Sequence, residues 1–175
     1  MDAIASLREG LGSARWLMEG TMEGLTSDQL HWQPSGTAHS VAAGYAHLVL
    51  SEDFLINTMV QGKPPLAATS HAGKTGLSEM PPQDPGADWL GWAKKVKMDY
   101  SAFRQYAQAV NANTEAYLSG LKPEGLDRQI DFSAMGLGSQ SVNWVLQTTI
   151  IGHITGHCGE IAATKGIQGL KGYPV

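Results

Sequence analysis

The sequence has little cysteine: Cys158 is the single one among 175 residues. One thiol excludes an internal disulfide, and it excludes a metal site built from several thiolates. A bound metal would therefore rest on nitrogen and oxygen ligands, and a reacting sulfur would have to come from a second molecule. Cys158 directly follows His157 in a predicted helix, so its side chain points about 100° away from that histidine. This placement predicts a small buried apolar residue.

Positive charge and long apolar runs are also scarce. The 12 Lys and Arg residues are outnumbered by 16 Asp and Glu residues, which gives a formal charge of −4. A protein that binds nucleic acid or a membrane surface needs a basic face, so neither partner is expected. No apolar run reaches the roughly 18 residues that favour a membrane-spanning helix. The first residues show no secretion-signal pattern, and a cytoplasmic protein is expected.

Strand patterns are almost absent, whereas apolar residues at three- and four-residue spacing are frequent. This spacing predicts four helices, over residues 2–24, 40–60, 87–119 and 141–165, with Asp84 or Asp88 as the cap of the third. Residues 61–86 contain five prolines and four glycines, which predicts a long connection. The length fits one domain over residues 1–175. The expected fold is therefore all-α, a four-helix bundle with a long crossover connection between helices 2 and 3.

The last predicted helix carries a pair of inward-facing histidines. His153 and His157 lie four residues apart, on one face and one turn apart, in line with Leu146 and Ile150. Burying two imidazoles is unfavourable unless their nitrogens find a partner, and a divalent metal ion is one such partner. Hydrogen bonds to neighbouring groups are the alternative, which the spacing by itself favours. Ile154 stands where zinc peptidases of the H-E-x-x-H type have glutamate, which argues against that chemistry.

A third ligand would strengthen the case for a metal, and His47 is the best candidate. It lies in the middle of the second predicted helix, and Gly44, one turn earlier, leaves room for another helix to approach. A histidine at the edge of the core, bonded to a carbonyl, is the alternative. Three histidines from two helices would leave one coordination position open for water or substrate. Such a site lowers the pKa of bound water or activates a bound thiol.

Glu160 is the candidate catalytic residue. It follows His157 by three residues on nearly the same helix face, from which it can orient a histidine ring or a bound water. A solvated carboxylate near the helix end is the alternative. The remaining histidines, His31, His39 and His71, are predicted to be surface residues in or near loops, with His71 able to reach the mouth of a pocket.

Two blocks of the sequence resemble the DinB/YfiT-like family. The first block has Trp32-Gln33-Pro34 and then a helix with His47-Leu48-Val49 and Glu52. The second block has His153-x-x-x-His157-Cys158-Gly159-Glu160-Ile161 and then Gly166-Ile167-Gln168-Gly169. The two blocks occur in the order that this family shows.

The resemblance implies a four-helix bundle of unusual connectivity and one divalent metal ion, Zn, Ni, Fe or Mn, held by His47, His153 and His157. It also implies a homodimer and a small-molecule substrate. Characterised members of the family transfer low-molecular-weight thiols such as bacillithiol or mycothiol, or catalyse a mycothiol-dependent isomerisation. We therefore expect a metal-dependent transferase that joins a low-molecular-weight thiol to an electrophilic small molecule. The alternatives are a hydrolase or isomerase that uses metal-activated water, and a non-catalytic protein that binds a metal or a small ligand.

Overall fold

Four long helical segments pack around an apolar core in the computed structural model, which describes residues 2–82 and 87–175. The α-helices are, in chain order, α1 (Ala3–Met22), α2 (Ser27–His31), α3 (Val41–Asp53), α4 (Trp89–Lys95), α5 (Tyr100–Gly120), α6 (Val142–Trp144) and α7 (His153–Ile167). Two π-helical segments complete the long helices: Phe54–Val60 extends α3, and Val145–Gly152 joins α6 to α7. The predicted all-α four-helix bundle is confirmed.

The bundle is assembled around α7. Helices α1 and α3 both pack along α7, and α5 contacts α1 and α3. The buried face of α1 has the predicted spacing, since Leu7, Leu11, Ala14, Met18 and Met22 are all buried. None of the helices among the described residues is long and apolar enough to cross a membrane.

A small antiparallel hairpin stands between α5 and α6. Its strands are β1 (Gln129–Asp131) and β2 (Ser139–Ser141), with Ile130 paired to Gln140. The alternation of polar and apolar residues in this part of the sequence is the basis of β1, whose central Ile130 is buried between two exposed residues. The loop of the hairpin carries Met135 and Leu137, both about half exposed.

The prediction of one continuous helix over residues 87–119 is wrong, because the structure has two helices there. The chain forms α4, then an extended segment from Val96 to Asp99, and then α5. Within that segment, Met98 forms an antiparallel bridge with Leu77. Val96 and Met98 are both buried, so they continue the apolar pattern of the flanking helices without being helical.

Three helices begin directly after an aspartate or a serine that caps them, and both residue types are preferred at this position. Asp99 caps α5 through the backbone N–H of Ala102, and Asp88 caps α4 through the backbone N–H of Gly91. The alternative cap, Asp84, lies outside the described residues. Ser40 caps α3, as expected of a serine directly before a helix.

The crossover from α3 to α4 is anchored by one buried carboxylate. Asp53, at the end of α3, is 1% exposed. Its oxygens accept hydrogen bonds from the backbone N–H groups of Leu66 and Ala67, both at 2.9 Å. They also accept from the hydroxyl of Tyr106 and the side-chain amide of Asn57, both at 2.7 Å. The carboxylate thus ties the crossover to α3 and α5.

Replacing Asp53 with alanine should destabilise the protein, because the buried hydroxyl of Tyr106 and the partly buried backbone N–H groups of Leu66 and Ala67 would lose their acceptor. A buried donor left unpaired costs about 1–3 kcal/mol, so we expect the free energy of unfolding to fall by roughly that amount. Urea unfolding followed by circular dichroism measures this change. The exposed Asp127 provides the control, and Asp127→Ala should change little. An equal loss in both variants would contradict the anchoring role.

Candidate metal centre

Three histidine side chains meet between α3 and α7. The Nε2 atom of His153 lies 3.2 Å from Nε2 of His47 and 2.8 Å from Nε2 of His157. One ring nitrogen from each of the three histidines lies within 4.8 Å of the other two. The structure therefore brings together the three residues that the sequence singles out, and each is partly buried.

The spacing of these nitrogens matches that of ligands on one metal ion. Histidine nitrogens bind zinc at about 2.0–2.1 Å, so two of them on one ion are about 2.9 Å apart at a right angle and about 3.4 Å apart at the tetrahedral angle. Hydrogen bonds alone satisfy the cluster poorly. Nε2 of His153 faces two other ring nitrogens, yet a ring nitrogen carries either one proton or one lone pair. A single cation accepts all three lone pairs.

Glu160 sets the orientation of one of these rings. Its Oε2 lies 2.6 Å from Nδ1 of His157. A carboxylate only accepts, so Nδ1 donates, and Nε2 of a neutral His157 keeps its lone pair for the centre of the cluster. A carboxylate behind a histidine is the usual support of a metal-ligating imidazole. The Glu160 side chain is 67% exposed, whereas that of His157 is 17% exposed.

Burial favours the neutral form of His47 and His153. Removal from water, and then the neighbouring His157, lower the pKa of His47 from 6.5 to about 4. The same two causes lower the pKa of His153 to about 4. A neutral imidazole is the form that binds a metal. At neutral pH, these two residues are therefore in the ligand form without any metal present.

Helices α3 and α7 lie close together at Gly44, one turn before His47. A Cβ atom on Gly44 would lie 3.9 Å from Cγ1 of Ile161 on α7, which is an ordinary van der Waals contact. The π-helical segment Val145–Gly152 ends directly before His153. Short π-helical stretches are frequently found at functional sites.

Two residues of the site are not apparent from the sequence. Trp89 of α4 packs edge-on against His47, with ring centroids 5.4 Å apart, and against His39, at 4.6 Å. Burial also lowers the pKa of His39, the first cause among several. The sequence gives no local signal for this contact, because it depends on how the crossover returns α4 to α3.

The other three histidines, which the sequence predicts to lie at the surface, are all partly buried. His39 is half-buried against Trp89. His31 lies in α2, where its Nε2 accepts a hydrogen bond from the backbone N–H of Met98 at 2.9 Å. His71 packs beside the ring of Tyr106, with centroids 5.5 Å apart, and does not reach the cluster.

Cys158 is fully buried, as predicted. Its Sγ lies 3.3 Å from Oγ1 of Thr21, on the side of α7 that faces α1. It lines neither of the cavities beside the histidines. The only thiol of the chain is therefore not offered to the cluster.

Two cavities adjoin the histidine cluster, and both are bordered by His47, His157 and Glu160. The first, which we call the hydroxyl chamber, has a volume of about 460 Å³. Its other walls include Ser51, Leu55, Phe132, Thr148, Thr149 and Gly156. The second, which we call the Trp89 chamber, has a volume of about 630 Å³. Its other walls include Val41, Gly44, Trp89, Ile161, Ala163 and Ile167.

Comparison with known proteins agrees with the observed fold. The sequence model of the DinB superfamily matches residues 11–161. A conserved protein from Enterococcus faecalis has a similar crystal structure, with a TM-score of 0.80 at 22% sequence identity. The similarity covers 97% of this chain and 99% of that chain. At this level of identity the likeness concerns the fold. No curated protein matches the chain.

The depressed pKa values predict that the metal-free protein loses stability in mild acid. Between pH 6.5 and about 4, the unfolded chain protonates residues 47 and 153 while the folded protein keeps them neutral. The unfolded state then binds more protons, so the contribution of these two residues to the free energy of unfolding falls as the pH drops through this range. Urea unfolding in the presence of a chelator, at several pH values between 7 and 4.5, measures this slope.

Variants test which residues cause this dependence of the free energy of unfolding on pH. His47→Gln and His153→Gln should each reduce it, because glutamine does not titrate. His71→Gln, which changes a histidine outside the cluster, should leave the slope as in the wild type. A slope that is unaltered by the first two variants would contradict the assignment.

Proposed function

The chain belongs to the DinB superfamily, and we propose that it is an enzyme that depends on one divalent metal ion, Zn, Ni, Fe or Mn, held by His47, His153 and His157. The convergence of three histidine ring nitrogens, at 2.8 and 3.2 Å, carries this proposal. Three protein ligands leave a coordination position for a substrate. The two chambers beside the histidines provide the space from which a substrate reaches it.

The reaction that we propose is the transfer of a low-molecular-weight thiol to an electrophilic small molecule. The metal would supply the thiol in its thiolate form, which is the nucleophile. The sulfur forms a bond to the electrophilic carbon, and the bond from that carbon to its leaving group breaks with both electrons. A halide departs as such, whereas an opened epoxide oxygen takes up a proton.

Burial of Cys158 supports an external thiol. This residue is 0% exposed and lies outside both chambers. A mechanism that forms a covalent intermediate on the chain's own sulfur would require α1 and α7 to separate. The thiol must therefore enter as a second substrate, which is consistent with the two separate chambers.

Glu160 is the residue that we propose to accept the thiol proton. It borders both chambers and is mostly exposed, so its second oxygen is available when Oε2 accepts from His157. A carboxylate in this position holds the His157 ring and takes up a proton as the S–H bond breaks. The same residue would serve a metal-activated water in the alternative hydrolase or isomerase.

Metal content is the first test. We expect the purified protein to bind about one equivalent of a divalent metal, measured by elemental analysis after dialysis, and the double variant His153→Ala/His157→Ala to bind none. His71→Ala is the matched control, because it removes one imidazole outside the cluster, and it should retain the metal. A wild-type protein that cannot be loaded with Zn, Ni, Fe or Mn would overturn the proposal.

Thiol consumption is the second test. The metal-loaded protein should accelerate the loss of free thiol in the presence of a chloroarene or an epoxide, and Glu160→Gln should slow it by roughly 10²-fold or more, as expected for a general base. Glu124→Gln, a change of an exposed glutamate near β1, is the control and should have no effect. Turnover without any thiol, abolished by Glu160→Gln, would instead favour the hydrolase or isomerase. Ligand binding with no turnover would favour the non-catalytic protein.

Pairing into a homodimer and a cytoplasmic location stay predictions from the sequence. The resemblance to the family supports the first, and the single cysteine supports the second.

A further inference from the structure

The three clustered histidines differ in what holds their rings. Glu160 accepts a hydrogen bond from Nδ1 of His157 at 2.6 Å. Nε2 of His153 contacts Nε2 of both other histidines. Within the described part of the chain, Nδ1 of His47 has no hydrogen-bond partner. The orientation of the His47 ring therefore depends on packing.

Trp89 of α4 supplies this packing. Its indole and the imidazole of His47 have centroids 5.4 Å apart and ring planes at 81°, which is an edge-to-face contact. The other rings that contact His47 in the described part of the chain are those of His153 and His157, the other two candidate ligands. Aromatic rings in this arrangement attract each other by more than their buried area explains. The contact with Trp89 therefore favours one orientation of the His47 ring over others.

Trp89 is itself held in place. Its ring also packs edge-on against His39, with centroids 4.6 Å apart, and beside Trp92, at 5.5 Å. Trp92 is 5% exposed, and its indole N–H donates to the carbonyl of Glu79 at 3.1 Å. Helix α4 is thus anchored by Trp92, so we expect it to stay attached to the bundle when the side chain of Trp89 is removed.

The support of a ligand ring affects how tightly a site binds its metal. The usual support of a metal-ligating histidine is a hydrogen bond made by its second ring nitrogen, and loss of that partner costs about 10- to 100-fold in metal affinity. His157 has such a partner in Glu160. At His47, the contact with Trp89 stands where the other ligand has a hydrogen bond.

We propose that Trp89 is the positioning residue of His47 and thereby sets the affinity of the histidine cluster for a divalent metal ion. This inference rests on the metal site of the proposed function. Trp89 acts through His47 and binds no metal itself, because the only polar atom of its side chain is a hydrogen-bond donor. The crossover that returns α4 to α3 is then part of the metal site, although it supplies no ligand.

The metal affinity of variants at position 89 tests the proposal. Zinc affinity is measured by competition with a coloured chelator, with no thiol or other substrate present. Trp89→Ala should weaken zinc binding roughly tenfold or more, since it removes the support of one ligand. Trp89→Phe keeps an aromatic ring and should bind zinc within about threefold of the wild type. Trp16→Ala makes the same change at a tryptophan that is 62% exposed on α1, and it should have no effect.

Substitution by leucine separates the ring from the space that it fills. Trp89→Leu retains an apolar side chain but lacks a ring, and it should weaken zinc binding about as much as the alanine variant. It also replaces Trp89→Ala if that variant does not fold, which circular dichroism checks. A leucine variant that binds zinc as the wild type does, or a phenylalanine variant that binds as weakly as the alanine variant, would overturn the role of the ring.

A double-mutant cycle tests whether Trp89 acts through His47. His47→Gln removes the ligand that Trp89 supports, so the further change Trp89→Ala should alter the remaining zinc affinity by less than about twofold. In the His71→Gln background, where the cluster is intact, Trp89→Ala should have its full effect. A purely structural role of Trp89 would weaken zinc binding equally in both backgrounds, and that result would overturn the proposal.

Failure of this inference is distinguishable from failure of the proposed function. If the wild type binds one equivalent of metal and Trp89→Ala binds it equally well, only the positioning role is wrong. If another of the four metals binds and zinc does not, the same variants are titrated with that metal. If the wild type cannot be loaded with Zn, Ni, Fe or Mn, the proposed function is wrong, and the positioning role falls with it.

Discussion

The close approach of α3 and α7 is the contact on which the candidate site depends. At Gly44, a Cβ atom would lie 3.9 Å from Cγ1 of Ile161 on α7. The close approach brings His47 to within 3.2 Å of His153, and it leaves a chamber at either end of the histidine cluster. The remaining helices support this pair: α1 packs on the other side of α7, and α5 contacts α3.

The cluster also shows how a buried site is kept ready for a cation. The pKa values of His47 and His153 are near 4, so at neutral pH protons do not compete with a metal ion for the lone pairs of these two imidazoles. Glu160 fixes the ring of the third histidine from the solvent side. The burial that lowers the pKa values would therefore favour binding of a cation, whereas a cluster of protonated imidazoles would repel one.

The sequence predicts the parts of the site that depend on one helix. The spacing of His153 and His157 places them on one face, and Glu160 follows one turn later. His47 is found from its position in a second helix and from the resemblance to a family. Trp89 and His39 are not found, because their contact is made by the return of a long crossover. The break between α4 and α5 is missed for another reason: Val96 and Met98 are buried in an extended segment and continue the apolar spacing.

The π-helical segment before His153 has a consequence for how the family's sequences can change. A π-helix holds about one residue more per turn than an α-helix. Loss of one residue from Val145–Gly152 would let this stretch become regular α-helix while the bundle survives. One turn of π-helix and one turn of α-helix both rotate the chain by about 360°, so the two α7 histidines would keep nearly the same angle to α6. The same deletion within the α-helical part of α7 would instead rotate the residues on either side of it by about 100° relative to each other.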